Sequence, residues 1–108
     1  MLPTDLGDWG VSTTVLKQSE RQFEQAVVDL SKLHKWMSFH PYDSRRSEPG
    51  FPDRVFVRPP RILIVEFKAD TGRVRPDQRR WMDALRACGL DVRVWRPRDW
   101  PFVEAELV

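Results

Sequence analysis

Residues 62–68 read ILIVEFK. Four branched apolar residues in a row, preceded by the turn-forming Pro59–Pro60 and followed by a polar, Gly-containing loop, fit a strand buried on both faces of a sheet. No other uninterrupted apolar run is as long, so this strand is the expected centre of the fold. It is far too short to cross a bilayer. Side chains alternate along a strand, so Glu66 and Lys68 project from one face while Phe67 projects from the other. The strand best suited to a dry interior therefore ends in two opposite charges on the same face.

The rest of the chain supplies neighbours for that strand. Ser19 followed by Gln22 makes a capping box, and Phe23, Ala26, Val27, Leu30 and Leu33 recur at helical spacing, which predicts a helix to about Trp36. MSFH at 37–40 fits a short strand, PYDSRRSEPGFP a loop, DRVFV a strand and RPP a turn. After the RILIVEF strand and the KADTGRVR loop, Pro76 opens a second helix. Trp81, Ala84 and Leu85 line one of its faces, and Gly89 closes it. DVRVW is a further strand, and Trp100 to Leu107 a short closing helix. The order α-β-β-β-α-β, with a final α, implies an α/β fold: a mixed central sheet flanked by helices. Residues 1–17 read as an N-terminal arm and residues 18–108 as one domain. Trp81, Trp95 and Cys88 are expected in the interior. Trp100 and Phe102 exceed what a small monomer hides and point to a second copy.

Composition narrows the setting. At 108 residues, 41% hydrophobic and 31% charged, the chain suits one folded domain and not a disordered one. The start, MLPTDLGDWG, lacks the basic and apolar regions of a secretory signal, and a single Cys88 fits a reducing compartment, so the expected location is cytoplasmic with no membrane span. The net charge of +2 is uneven: residues 43–80 hold ten Lys/Arg against six Asp/Glu. That surplus is compatible with a phosphate-bearing partner.

Asp53 begins the strand before ILIVEFK, directly after Pro52. If the two strands are neighbours, Asp53 and Glu66 converge, and two adjacent carboxylates repel unless a cation lies between them. Oxygen ligands suit Mg²⁺ or Mn²⁺. Lys68 then stands just outside, where an ammonium holds or polarises water. Metal, water and cation together form a set suited to phosphodiester hydrolysis.

The PD at Pro52–Asp53 and the EFK at Glu66–Lys68 resemble the PD-(D/E)XK nuclease signature. SERQF, DSRRSEPGFPD, GRVRPDQRRWMDALRACG and VRVWRPRDW extend the likeness, over residues 19–104, to the VRR-NUC domains of phages and bacteria. The resemblance implies a restriction-endonuclease-like core, with metal binding by Asp53, Glu66 and the Phe67 carbonyl. It makes Lys68 the catalytic lysine and places Gln78 beside the site. Glu20 and Glu24 are both available as the first-helix carboxylate. Glu20 is preferred, because it lies nearer the apolar stripe and matches the family's acidic residue ahead of the Phe. Arg54 and Arg75 depart from the family's usual apolar residue and Ser/Thr cap. Arg54 is expected on the face opposite Asp53.

The implied activity is a Mg²⁺- or Mn²⁺-dependent endonuclease that leaves 5′-phosphate and 3′-hydroxyl ends. Stand-alone domains of this branch are similar to homodimeric Holliday-junction resolvases used in DNA repair, so branched DNA is the expected substrate. Arg45, Arg46, Arg73 and Arg75 are candidate phosphate contacts. No recognition helix or zinc module offers base readout. The alternatives are a restriction-type or general nuclease, or an inactive DNA-binding or interaction module.

Overall fold

The computed structural model of the protein describes residues 18–41 and 48–108. Arg45, Arg46 and the expected arm over residues 1–17 lie outside the described residues. Among the described residues, three helices and four strands follow in the order α1 (Glu20–Leu33), β1 (Met37–Phe39), β2 (Arg54–Arg58), β3 (Arg61–Phe67), α2 (Pro76–Ala87), β4 (Val92–Trp95), a 3₁₀ turn (Pro97–Asp99) and α3 (Trp100–Leu107). The fold is α/β with a mixed sheet, and no described helix is long and apolar enough to cross a membrane.

The sheet order is β1-β2-β3-β4, so the apolar strand β3 is interior, as its composition requires. It pairs antiparallel with β2 (Arg54 with Val65, Arg58 with Arg61) and parallel with β4 (Glu66 with Val94, Phe67 with Trp95). The β2–β3 link is the turn at Pro59–Pro60, and the parallel β3–β4 step is carried by α2. Alternation along β3 divides the core. Leu63, Val65 and Phe67 join the cluster with α1 and α3, whereas Ile64 meets Met82 of α2 and Val92.

Aromatic rings knit the larger cluster. Phe67 stands edge-on to Phe23 at 5.7 Å between centroids and to Trp95 at 6.4 Å. At the far end of the sheet, Arg58 and Arg61 lie over the Trp36 ring, and the Trp36 Nε1 donates to the Leu107 carbonyl at 2.9 Å. The C-terminal helix is thereby tied to the turn after α1.

Helix α1 starts as expected. Ser19 Oγ accepts from the Gln22 N–H at 3.1 Å, and Gln22 Oε1 accepts from the Ser19 N–H at 3.0 Å. It ends at Leu33, three residues early, because Lys35 takes a left-handed backbone (φ 67°) that turns Trp36 into the core. The buried face also includes Val28 and Ser31, so it is rotated away from Leu33, which is 77% exposed. Ser31 tolerates burial because its hydroxyl donates to the Val28 carbonyl at 2.7 Å.

Helix α2 buries Gln78 and Met82, and of the expected face of Trp81, Ala84 and Leu85, Leu85 packs against the Met82 cluster. Trp81 is half-buried and Ala84 exposed, because the helix turns Gln78 and Met82 to the sheet. Cys88 caps the helix at the surface and is exposed. Trp95 is buried as expected. Trp100 is partly covered by the core, 6.4 Å from the Phe23 ring, while Phe102 is exposed. Trp100 therefore does not need a second copy to cover it.

Truncating Phe23 removes the ring that joins Phe67 and Trp100. Phe23→Ala should cost about 3–5 kcal/mol in urea unfolding, whereas Leu33→Ala should stay within about 0.5 kcal/mol of the parent. A Leu33→Ala loss as large as that of Phe23→Ala would contradict the rotated face of α1.

Candidate active site

Extending the β2–β3 register by one residue puts Asp53 opposite Glu66. Directly opposite residues in an antiparallel pair share a face with close Cβ atoms, so the hairpin itself brings the two carboxylates together. Asp53 Oδ2 accepts from the Phe67 N–H at 2.7 Å, locking the carboxylate to the end of β3. The exposed His40 donates from Nδ1 to the Asp53 carbonyl at 3.0 Å, a backbone contact and not a side-chain pairing.

Glu66 is buried, at 1% exposure. Its Oε2 accepts from Gln78 Nε2 at 2.8 Å and lies 3.5 Å from Lys68 Nζ. Among the described residues, its Oε1 is buried without a hydrogen-bond partner. Burial, followed by the charge on Asp53, pushes the Glu66 carboxyl up to about 8, against the pull of Lys68. Asp53 is also raised, first by burial and then by Glu24 and Glu20, with the Phe67 N–H opposing. Burial is the larger cause at both acids, and Lys68 offsets only part of it.

Gln78 has both ends of its amide assigned. Its Oε1 accepts from the Arg75 N–H at 2.9 Å, and its Nε2 donates to Glu66. The first bond is half a capping box at the start of α2, where Arg75 offers no side-chain cap. One side chain therefore caps the helix and grips the acid.

The two helix carboxylates separate. Glu24 Oε2 accepts from Arg54 Nε at 2.8 Å. Arg54 stands on the face opposite Asp53, as expected, and finds there a partly buried partner. Glu20 is exposed at the start of α1, and its charge reaches both Asp53 and Glu66. Among the described residues, no group of three or more His, Cys, Asp or Glu side chains is arranged to hold a metal ion, so Glu20 does not close with the pair here. The pair alone fits a hard divalent cation: its donors are oxygens, its acids are raised first by burial and then by neighbouring carboxylates, and one buried oxygen lacks a partner among the described residues.

Arg73 is exposed, while Arg75 turns its guanidinium to Asp77 at 3.2 Å, which holds the Asp77 carboxyl below its usual range. Sequence reasoning missed the anchor ahead of Asp53. Gly50 (φ 99°) lies so close to α2 that a Cβ would fall 2.7 Å from the Asp77 carbonyl. Trp81 Nε1 donates to the Pro49 carbonyl at 3.1 Å, and Phe51 stands edge-on to Trp81 at 5.3 Å. The signal was a Gly between two prolines in PGFP, directly before Asp53.

A mixed α/β sheet whose central hairpin presents paired carboxylates and a lysine defines a PD-(D/E)XK nuclease domain. The VRR-NUC domain family model matches residues 8–99, and the chain belongs to that family. No curated protein matches the chain. Membership makes the protein a nuclease domain.

The raised carboxyl has a consequence for stability. An acid that holds its proton more tightly folded than unfolded stabilises the fold below its ordinary value, here 4.5. That contribution is lost as pH rises toward the folded value near 8. Metal-free protein should therefore weaken between pH 5 and 8, and Glu66→Gln should flatten that decline. Urea midpoints across this range check it, and an equally steep decline in Glu66→Gln would contradict the burden placed on this carboxyl.

Proposed function

We propose that the protein is a metal-dependent DNA endonuclease acting on branched DNA in the manner of a Holliday-junction resolvase. The observation that carries the reading is the buried Oε1 of Glu66, without a partner among the described residues, across the hairpin from Asp53. An oxygen removed from water without a donor is costly, and a cation shared with Asp53 relieves both the missing bond and the repulsion.

In this reading Asp53, Glu66, the Phe67 carbonyl and Glu20 hold Mg²⁺ or Mn²⁺. Once bound, the cation supplies Lewis acidity toward a phosphate oxygen and toward water. Gln78 keeps Glu66 in place by occupying Oε2, which leaves Oε1 for the cation. Lys68 orients the attacking water in line with the scissile phosphorus and offsets the charge that builds on the phosphate oxygens. Arg73 and Arg75, with Arg45 and Arg46, meet the DNA backbone. Residues 18–108 act as one domain of a cytoplasmic protein. A homodimer supplies two sites for the two strands of a junction, and exposed Met37, Phe39, Ile62 and Phe102 offer apolar surface for pairing.

A labelled four-way junction, a flap and a linear duplex, each with Mg²⁺, Mn²⁺ or chelator, test the reading. Metal-dependent cutting should favour the junction and fall roughly 100-fold or more in Lys68→Ala and Glu66→Ala. Equal cutting of all substrates would make it a general nuclease. Binding without cutting, indifferent to metal and to both substitutions, would leave a DNA-binding module.

A further inference from the structure

The turn that follows Lys68 is wound around a guanidinium. Arg96, the residue after β4, donates from Nη1 to the carbonyls of Gly72 at 2.6 Å, Ala69 at 2.8 Å and Asp70 at 3.4 Å. The turn also closes on itself, with the Gly72 N–H donating to the Ala69 carbonyl at 3.0 Å. Arg98 adds two bonds to Asp70, from its backbone N–H to Oδ1 at 3.0 Å and from Nη1 to the carbonyl at 3.3 Å. Arg96 is itself fixed, because its N–H donates to Asp99 Oδ2 at 2.9 Å.

None of the bonds made by the Arg96 guanidinium goes to a carboxylate among the described residues. A rigid, permanently charged group whose Nη1 reaches three carbonyls of one turn fixes the shape of that turn. The turn in question borders Lys68. A Cβ placed on Gly72 would lie 3.5 Å from Lys68 Cδ, so the Gly72 backbone flanks the lysine stem. The Lys68 N–H donates to the Trp95 carbonyl at 3.0 Å, which sets Lys68 beside Arg96 where the parallel β3–β4 pair ends. A lysine side chain retains about 2 kcal/mol of rotamer entropy when free. Here it is nearly buried, with Nζ 3.5 Å from Glu66.

We propose that Arg96 is a positioning residue for Lys68. By gathering the carbonyls of Ala69, Asp70 and Gly72, it holds the turn against the lysine stem and aims Nζ at the Glu66–Asp53 end of the hairpin. This rests on the reading of Lys68 as the group that orients the attacking water.

The test compares Arg96→Ala with Lys68→Ala and the parent, well below the thermal transition of each. Arg96→Ala should lower the maximal single-turnover rate on the junction roughly 10- to 100-fold, with the apparent Kd for DNA unchanged. Millimolar guanidinium ion should restore the rate in Arg96→Ala and not in Lys68→Ala. In protein free of metal and DNA, the NMR signals of the Lys68 Cε methylene should move toward those of a free lysine in Arg96→Ala. Should alanine prevent folding, Arg96→Gln keeps part of the stem and one donor and carries the same comparison. A parental rate, a loss confined to Kd, or unmoved Lys68 signals would overturn the proposal. Cleavage by no form of the protein would instead refute the nuclease reading, and the NMR comparison would still decide whether Arg96 positions Lys68.

Discussion

The site depends on the burial of one acid. Glu66 sits at the end of the most apolar strand, between β2 and β4, where water that would solvate its charge is excluded. A buried carboxyl is tolerated only if its surroundings supply donors, or if it keeps its proton. Two partial answers are present, Gln78 and Lys68, and both act on Oε2. Both come from segments that must be placed accurately, so the fold around β3 can be understood as the means of placing them.

Three connections do this. The β2–β3 hairpin sets Asp53 across from Glu66, and the Asp53 bond to the Phe67 N–H secures that register at its open end. The α2 crossover brings Gln78 back over the same face, where Ile64, Val92 and Met82 form the dry floor beneath it. The Pro49–Phe51 segment then packs on Trp81, so the approach to Asp53 is fixed to the helix that carries Gln78. On the opposite face, Phe67 points into the aromatic cluster under α1 and α3. The alternation that puts Glu66 and Lys68 on one face is the alternation that anchors their strand.

Much of this was legible in the sequence because it follows from periodicity and covalent adjacency. The run ILIV announced a central strand, the Pro59–Pro60 turn marked it off from the strand before it, and the two-residue alternation put Glu66 and Lys68 together. Features that depend on rotation or on distant partners were not legible. Phe23 and Leu33 both satisfy a helical stripe, and only the position of Trp36, turned inward by Lys35, shows which side of α1 is buried. Cys88 looks apolar in sequence, yet the helix ends with it facing outward. The placement of Glu24 was equally hidden, since its partner Arg54 lies thirty residues away on a strand whose face is known only once the register is set. Arg96 gave no signal, because its partners are backbone carbonyls, which no residue type encodes.

The distribution of bonds around Glu66 also distinguishes its two oxygens. Gln78 cannot exchange the ends of its amide, because Oε1 is held by the Arg75 N–H, so it presents only a donor to the acid. Lys68 likewise has only donors to offer. Both address Oε2, so that oxygen is held as the acceptor, while burial raises the carboxyl's affinity for a proton. The helix cap that fixes Gln78 therefore determines which oxygen of Glu66 is left without a donor among the described residues. The start of α2 and the chemistry at the end of β3 are joined through a single neutral side chain, in which a glutamate would place a third negative charge against the pair and a shorter amide would lose one of the two bonds.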